Sequence, residues 1–567
     1  MRKYILLTIP LLLPATNALA FDATKATRYP SPDMYRPNVD AVIARGVGSS
    51  FPALAITGPG ITCAPGSECD ASSLKAAGTS QIARSLAARL DDTLNIKDFG
   101  AVCDGAARPL SARFSTLAAA QLLYPAAVAL SDETDWAAIQ GAVNKGRPVI
   151  VPDGYCMVNR TLAVTQNGVM LEGRHRDATQ IRRHGDFGPT INFSSGPFIY
   201  NTGLRNLAFY DFGGAPGLGP AMTQANSPYE IVFDSHKNTR VENLYIGLGP
   251  NSNSAGGGIS MLGSVEFYLR DVYITLDAGS SVGRHAFRLG VSQIDGAPSP
   301  GGTGKNVISS LNVEGSTFNY TNGALTSISP HVEDGIRIES GDGLWISDSH
   351  VQGTVNADLH IATKAGVQIS NFHVANSMFD ITNGSGVIID GDGTLQRIDM
   401  QARLSASGIG NPGAKPGFLA SAAITEGRFD LGVEGFSGVC VQSSNPNTKN
   451  VSFQLSQLTR CLGGGMLFDA GKNFSVTGGV IGGDGVTPYG IQVGAGVTGF
   501  TSSGVSAVET APAPAGYGFI LQNGASGISI SGGRATANAS AAVLDSTAST
   551  AKVRVTGVLG QADITKN

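Results

Sequence analysis

Apolar and polar residues alternate in short runs from residue 149 onward, and the runs recur every two dozen residues. The clearest case is 335–374. Gly335-Ile-Arg-Ile338 and Gly343-Leu-Trp-Ile-Ser-Asp-Ser-His-Val351 are followed by Asp358-Leu-His-Ile361 and Gly366-Val-Gln-Ile-Ser-Asn-Phe-His-Val374. This alignment places Ser347 on Ser370, Asp348 on Asn371, His350 on His373 and Val351 on Val374. A period-2 pattern is that of a strand, and strands repeated at this interval predict a solenoid whose coils bury one another's apolar face.

A six-residue unit recurs along the chain as LRNLAF at 204–209, VENLYI at 241–246, LRDVYI at 269–274, ISSLNV at 308–313, ISDSHV at 346–351 and ISNFHV at 369–374, with a looser copy at 395–400. A second unit, glycine followed by apolar-variable-apolar, starts at Gly335, Gly386, Gly438, Gly465, Gly490 and Gly518. After about residue 410 the coils are rich in Gly, Ala and Ser and read as scaffold. The 75 glycines among 567 residues fit a turn-dense all-β chain, and only 14% of residues are charged.

Residues 85–105, then 132–140 and 146–154, run through Arg89-Leu-Asp-Asp-Thr-Leu-Asn-Ile-Lys-Asp-Phe-Gly-Ala101, Asp132-Glu-Thr-Asp-Trp-Ala-Ala-Ile-Gln140 and Gly146-Arg-Pro-Val-Ile-Val-Pro-Asp-Gly154. This order resembles the N-terminal signature of the pectate-lyase-like superfamily, and its lead-in is most similar to tailspikes and related depolymerases. The resemblance implies a single-stranded right-handed parallel β-helix, a hand that the chirality of parallel crossovers also favours. Residues 95–102 are expected as a strand and 131–144 as a helix plugging the open end of the solenoid, with acids in its first turn. The insertion at 106–130 departs from the signature. The expected organisation is a leader at 1–20, an arm and short neck helix at 21–92, a β-helix at 93–540 capped by 93–148, and a terminal coil and tail at 541–567.

Arg2 and Lys3, an apolar centre at 4–13 and Ala18-Leu-Ala20 form a secretory leader, which implies a secreted or periplasmic protein. Nothing later is long and apolar enough to span a bilayer, so no membrane association is expected after cleavage. Six cysteines fit an oxidising compartment: Cys63 and Cys69 bracket a small loop, Cys103 and Cys156 border the next segment, and Cys440 and Cys461 lie about one coil apart. The net charge of −4 and the absence of a basic block argue against a nucleic-acid partner. The stripe at 80–90 points either to a neck helix of a homotrimer or to a helix lying on the solenoid end.

The polar positions sort into columns. Asn206, Asn243, Asp271, Ser310, Asp348 and Asn371 share a slot between strands and read as a turn ladder. The next outward column holds Ala208, Tyr245, Tyr273, Asn312, His350, His373 and Asp399. The column before the ladder holds Arg205, Glu242, Arg270, Ser309, Ser347 and Ser370. The neighbouring strand contributes Ser260, Arg288, Arg337 and His360, then turns apolar at Ile388. Rungs about 4.8 Å apart match the length of a sugar unit. Tyr245, Tyr273, Trp345, Arg288, Arg337 and His360 are therefore candidate contacts to an extended polysaccharide, whose carboxylates arginine would pair.

Two chemistries fit. Hydrolysis needs two flanking carboxylates, sought among Glu339, Asp334 and Asp342, with Glu333 and Asp390 nearby. Elimination needs a His, Tyr or Lys base beside an arginine, for which His350, His373 and Tyr273 qualify. The Gly-His-Gly element of family 28 hydrolases is missing, and neither a calcium loop nor any other metal or cofactor motif is present. The expected function is a polysaccharide-degrading enzyme, hydrolase before lyase. The alternative is a non-catalytic adhesin or surface protein using the same groove.

Overall fold

The computed structural model describes residues 92–566, apart from 195–197, 212–228, 249–256, 277–282, 293–302, 322–323, 407–414, 509–515, 537–540, 548–551 and 561–563. The leader, the arm, the 80–90 helix and the Cys63/Cys69 loop lie outside the described residues.

The coils stack in three parallel ladders of strands, here called sheets A, B and C in the order in which each coil visits them; in one coil they are Val332–Ile338 (A), Leu344–Ser347 (B) and His350–Gln352 (C). Sheet A joins, among others, Tyr229–Asp234, Gly257–Leu262, Gly283–Gly290, Val332–Ile338, Thr354–Thr363, Ser385–Gly391, Phe418–Ala420 and Val439–Ser443, each paired with the next. The strand and turn pattern closes into a parallel β-helix. One antiparallel pair, Ser316–Thr321 with Ala324–Pro330, forms its own two-stranded sheet.

Alternation decides what faces in. One inward column of sheet A reads Ile259, Phe287, Ile336, Leu359, Val387, Phe418, Val441 and Met466, all fully buried. Parallel stacking puts like side chains on like, so aromatic rings meet across rungs: Phe193 and Phe233 stack at 4.2 Å, Phe429 and Phe453 at 5.2 Å. Further along, Phe468 packs against Phe453, Phe474 and Phe500.

At the first coil the strand is only Leu94–Asn95, paired with Val149–Val151. Residues 96–99, expected as strand, instead form a 3-10 turn closed by left-handed Gly100. The helix that follows spans Thr134–Val143 and is buried along nearly its whole length. Its Asp135 carboxylate accepts backbone N–H groups of Val102, Cys103 and Met157 at 2.7, 3.1 and 3.0 Å. The acid of the first turn therefore ties the helix to two neighbouring segments. The insertion folds as a short helix, Leu117–Leu123, capped by Thr116. Disulfides join Cys103 to Cys156 and Cys440 to Cys461.

The corners depend on left-handed residues, and there are two columns of them rather than one. Asn206, Asn243, Asp271, Ser310, Asp348 and Asn376 turn the chain from sheet B to sheet C. Asn201, Asn238, Glu266, Gly343, Asn371, Arg397, Glu426, Asn450 and Asn473 turn it into sheet B. Side-chain amides bond along each column, Asn243 to Asn206 at 2.8 Å and Asn473 to Asn450 at 3.0 Å. Asn and Asp tolerate this conformation because their short polar side chains bond locally.

The structure does not stack 346–351 on 369–374 as the sequence alignment expects. In sheet A the 23-residue step holds, Arg337 lying under His360. The next coil then takes a longer route into sheet B, so Trp345 pairs with His373, Ser347 with Ala375, and His350 with Met378, and Asn376 bonds Asp348 at a step of 28. His350 and His373 occupy different sheets, Asn371 belongs to the other corner, and Ser370 lies over Asp342. Asp399 follows His373 in sheet B. Both corners demand the same local chemistry, so both carry the same hexapeptide.

Replacing Phe453 by Ala should lower stability by about 3–5 kcal/mol in denaturant unfolding. Replacing exposed Tyr268 should change it by less than about 0.5 kcal/mol.

Candidate functional site

Sheet A presents the outward row Val232, Ser260, Arg288, Arg337, His360, Ile388 and Leu419. Its three polar-to-basic members in the middle gather a charged cluster. Arg337 is held at two points, by Asp334 at 2.9 Å and Glu339 at 3.0 Å. Arg288 and Lys364 each reach the other Glu339 oxygen at 2.9 Å. His360 bridges two acids, Nδ1 to Asp334 and Nε2 to Asp390, both at 3.0 Å. His285 adds a contact to Asp334 at 3.2 Å, and Asn356 donates to its remaining oxygen at 2.8 Å.

The architecture explains the gathering. Arg337 and Glu339 are two apart and so share one side of the strand end. Register brings Arg288 and His360 one rung to either side of Arg337. Lys364 follows directly on the strand Thr354–Thr363. The acids lie underneath and the cations toward water. The side chains of Asp334 and Glu339 are 0% and 5% exposed, against 26% for Arg288, 21% for Arg337 and 52% for Lys364.

Electrostatics follow from that burial. Desolvation alone would raise the Asp334 carboxyl, but hydrogen bonds from His285 and His360 reverse it and hold the group well below the usual carboxylate range. Glu339 is likewise raised by desolvation, then brought down to about 2 by Arg288 and Lys364. Burial lowers His360, yet its bonds to Asp334 and Asp390 outweigh this and lift it to about 9. Arg288, Arg337, Lys364 and His360 thus face the carboxyl groups of Asp334, Glu339 and Asp390.

The other candidates lie elsewhere. Asp342 sits at the turn between sheets A and B and accepts from Ser370 and Asn371 at 2.8 and 2.7 Å. Trp345 and His373 stack at 4.1 Å on sheet B, with Asp399 3.9 Å from His373. Tyr245, Tyr273 and His350 share a column of sheet C. There Tyr245 and Tyr273 stack at 5.6 Å, and Tyr273 donates to Glu314 at 2.6 Å. Burial and that bond raise the Tyr273 phenol above its usual range.

No protein-family model matches the sequence, and neither does any curated protein. Among solved structures, the chain is similar to the catalytic unit of a thermostable GH87 α-1,3-glucanase from Streptomyces thermodiastaticus. That match has 11% identity, 84% of this chain and 69% of that one covered, and a TM-score of 0.41. It is also similar to the A-module of mannuronan C-5 epimerase AlgE6 from Azotobacter vinelandii (14% identity, 83% and 100% covered, TM-score 0.45). A third is the tailspike protein gp49 from Pseudomonas phage LKA1 (14%, 78% and 83%, 0.34). These likenesses concern the fold alone.

Sequence reasoning passed over His285, Lys364 and Asn356. His285 was within reach, because it stands two residues before Phe287 as Asp334 stands before Ile336, and the two pair in register. Lys364 carries no such signal in the sequence. Among the described residues, no group of three or more His, Cys, Asp or Glu is placed to hold a metal ion. No described helix is long and apolar enough to cross a membrane.

The cluster makes stability depend on pH in two directions. His360 is raised from its ordinary 6.5, so its contribution is fully present below 6.5 and is lost as pH rises through about 9. Glu339 is depressed from 4.5, so its contribution is present above 4.5 and is lost as pH falls toward about 2. Melting temperature against pH should therefore show its plateau between those limits. His360→Gln should flatten the alkaline decline, and an unchanged decline would refute the assignment.

Proposed function

We propose that the chain binds an extended acidic polysaccharide along sheet A and cleaves it by β-elimination. One observation carries this reading: Glu339, buried beneath the face, holds three cations whose side chains remain partly open to water. Such an array is preorganised for an anion, and a uronate carboxylate is the anion that a glycan supplies.

Elimination is supported over hydrolysis by the state of the acids. A glycosidase requires one protonated carboxyl beside the scissile oxygen. Asp334 and Glu339 are both held ionised, are both buried, and share Arg337 as counter-ion. In the proposed reaction Arg288, Arg337 and Lys364 neutralise the carboxylate and so acidify the adjacent C–H. Asp390, whose side chain is 41% exposed, takes that proton. The electron pair forms the C=C bond as the glycosidic C–O bond breaks, and the departing oxygen takes a proton from solvent. His360 keeps Asp390 anchored from below. The two disulfides support the further proposal that the protein works in an oxidising compartment outside the cytoplasm.

The test is a panel of polyuronates and neutral glucans. Polyuronates should give new reducing ends together with the ultraviolet absorbance of an unsaturated uronate. Lys364→Ala should weaken polyuronate binding by about tenfold and reduce its salt dependence. Asp390→Asn should abolish turnover while binding persists. New ends without absorbance would establish hydrolysis instead, and binding of polyuronate without turnover by the native protein would leave only a glycan-holding surface.

A further inference from the structure

An open depression lies away from the charged cluster, at the corner between sheets B and C. Its volume is about 720 Å³, and it is lined by residues of four successive coils, 376–378, 401–403, 430–434 and 454–459. Earlier coils bend here through a left-handed residue, the last being Asn376. Beyond it the corner is made differently. Thr394–Ser405, Ala423–Glu434 and Lys449–Thr459 run unbroken through the bend, and no residue at 398–405, 427–434 or 451–459 is left-handed. The bend is taken up by register shifts between Val374 and Ser377 and between Leu431 and Val433. Without a ladder side chain to fill it, the corner stays open as a trough. Gly432 keeps its floor low, since a Cβ there would meet Ser456 Oγ at 2.7 Å.

The trough carries hydrogen-bonding groups that have no partner among the described residues. Gln401, Asp430 and Gln454 follow one another in register on successive rungs. Elsewhere such stacked polar neighbours bond along the axis: Gln368 to Gln396 at 2.9 Å, Gln442 to Asp469 at 3.1 Å, Asn376 to Asp348 at 2.7 Å. By contrast, the side chains of Gln401, Asp430, Gln454 and nearby Gln457 make no hydrogen bond among the described residues. Glu434 lies 3.6 Å from both Arg403 and Arg460, and together with Asp430 of the row the two carboxylates balance the two guanidinium groups. The row therefore offers amide donors and acceptors and one carboxylate, at about 4.8 Å per rung, with no net cationic pull.

We propose that this trough is a second glycan site, taking a neutral, hydroxyl-rich oligosaccharide of about three sugar units. Side-chain amides and a carboxylate satisfy both the donor and the acceptor of each hydroxyl. The spacing suits a chain lying along the axis. The site is independent of the cationic face on sheet A, which selects acidic residues. Its occupant is either a neutral stretch of the same polymer or a separate neutral glycan.

The experiment is calorimetric titration of the intact protein with cellohexaose, maltohexaose and laminarihexaose. At least one should bind, and binding should persist when a saturating polyuronate is present. The exposed pair Gln401→Ala with Gln454→Ala should weaken it by about tenfold or more with the melting temperature unchanged. Gly432→Leu, which fills the floor, should do the same. The proposal fails if none of the three binds at concentrations up to about 10 mM. It fails equally if polyuronate displaces the hexasaccharide, or if neither variant changes affinity. Sedimentation showing an oligomer that shields Gln454 would overturn it in favour of a second copy of the chain. A protein that ignores polyuronate but binds a neutral hexasaccharide would refute the sheet A reading alone.

Discussion

Backbone pairing in parallel register from coil to coil is the constraint on which everything else rests. No strand here is stable alone. Each gains its hydrogen bonds from the coil below and above, and each buries its alternate side chains against a column of like residues. The pairing therefore sets core and surface at once. A column of Ile, Phe, Leu and Val inside sheet A is the reverse side of a row that includes Arg288, Arg337 and His360. Moving a strand by one residue would exchange the two.

That constraint made the fold legible. Two-residue alternation and the glycine-led strands at Gly335 and Gly386 identify the solenoid without any tertiary knowledge, and the outward row from Ser260 to Ile388 was readable because each strand of sheet A repeats the same apolar-variable-apolar pattern, although the steps between them run from 23 to 49 residues. Sheet B was not readable in the same way. A hexapeptide containing Asp348 and one containing Asn371 look like copies, because a left-handed polar residue between two apolar ones is what any tight corner of this helix requires. Which corner a given copy makes depends on how many residues the preceding turn consumes, and turn length leaves no periodic trace. That ambiguity is why His350 and His373 look stacked in the sequence yet lie in different sheets.

The charged cluster shows a second limit. Arg337, Glu339 and Asp334 are near neighbours in sequence, so their meeting is a local matter. His285 and Lys364 join them from other coils, and only register reveals the first. The buried acids are best understood as supports. A carboxylate removed from water is costly unless paired, and here each is paired several times over. The cost is met by cations that are then fixed in place, with their remaining donors facing outward. Burial of negative charge thus creates an ordered positive surface.

The two disulfides give the molecule a polarity in how it can come apart. Coils of a solenoid touch only their neighbours, so loss of structure begins at an end and travels. Cys103–Cys156 clamps the entry segment to the early coils, and Cys440–Cys461 ties adjacent turns far down the stack. The sequence has no cysteine beyond Cys461. Loosening that starts in the coils past Cys461 would therefore meet a covalent tie between neighbouring coils before it reached those that bear the cationic face.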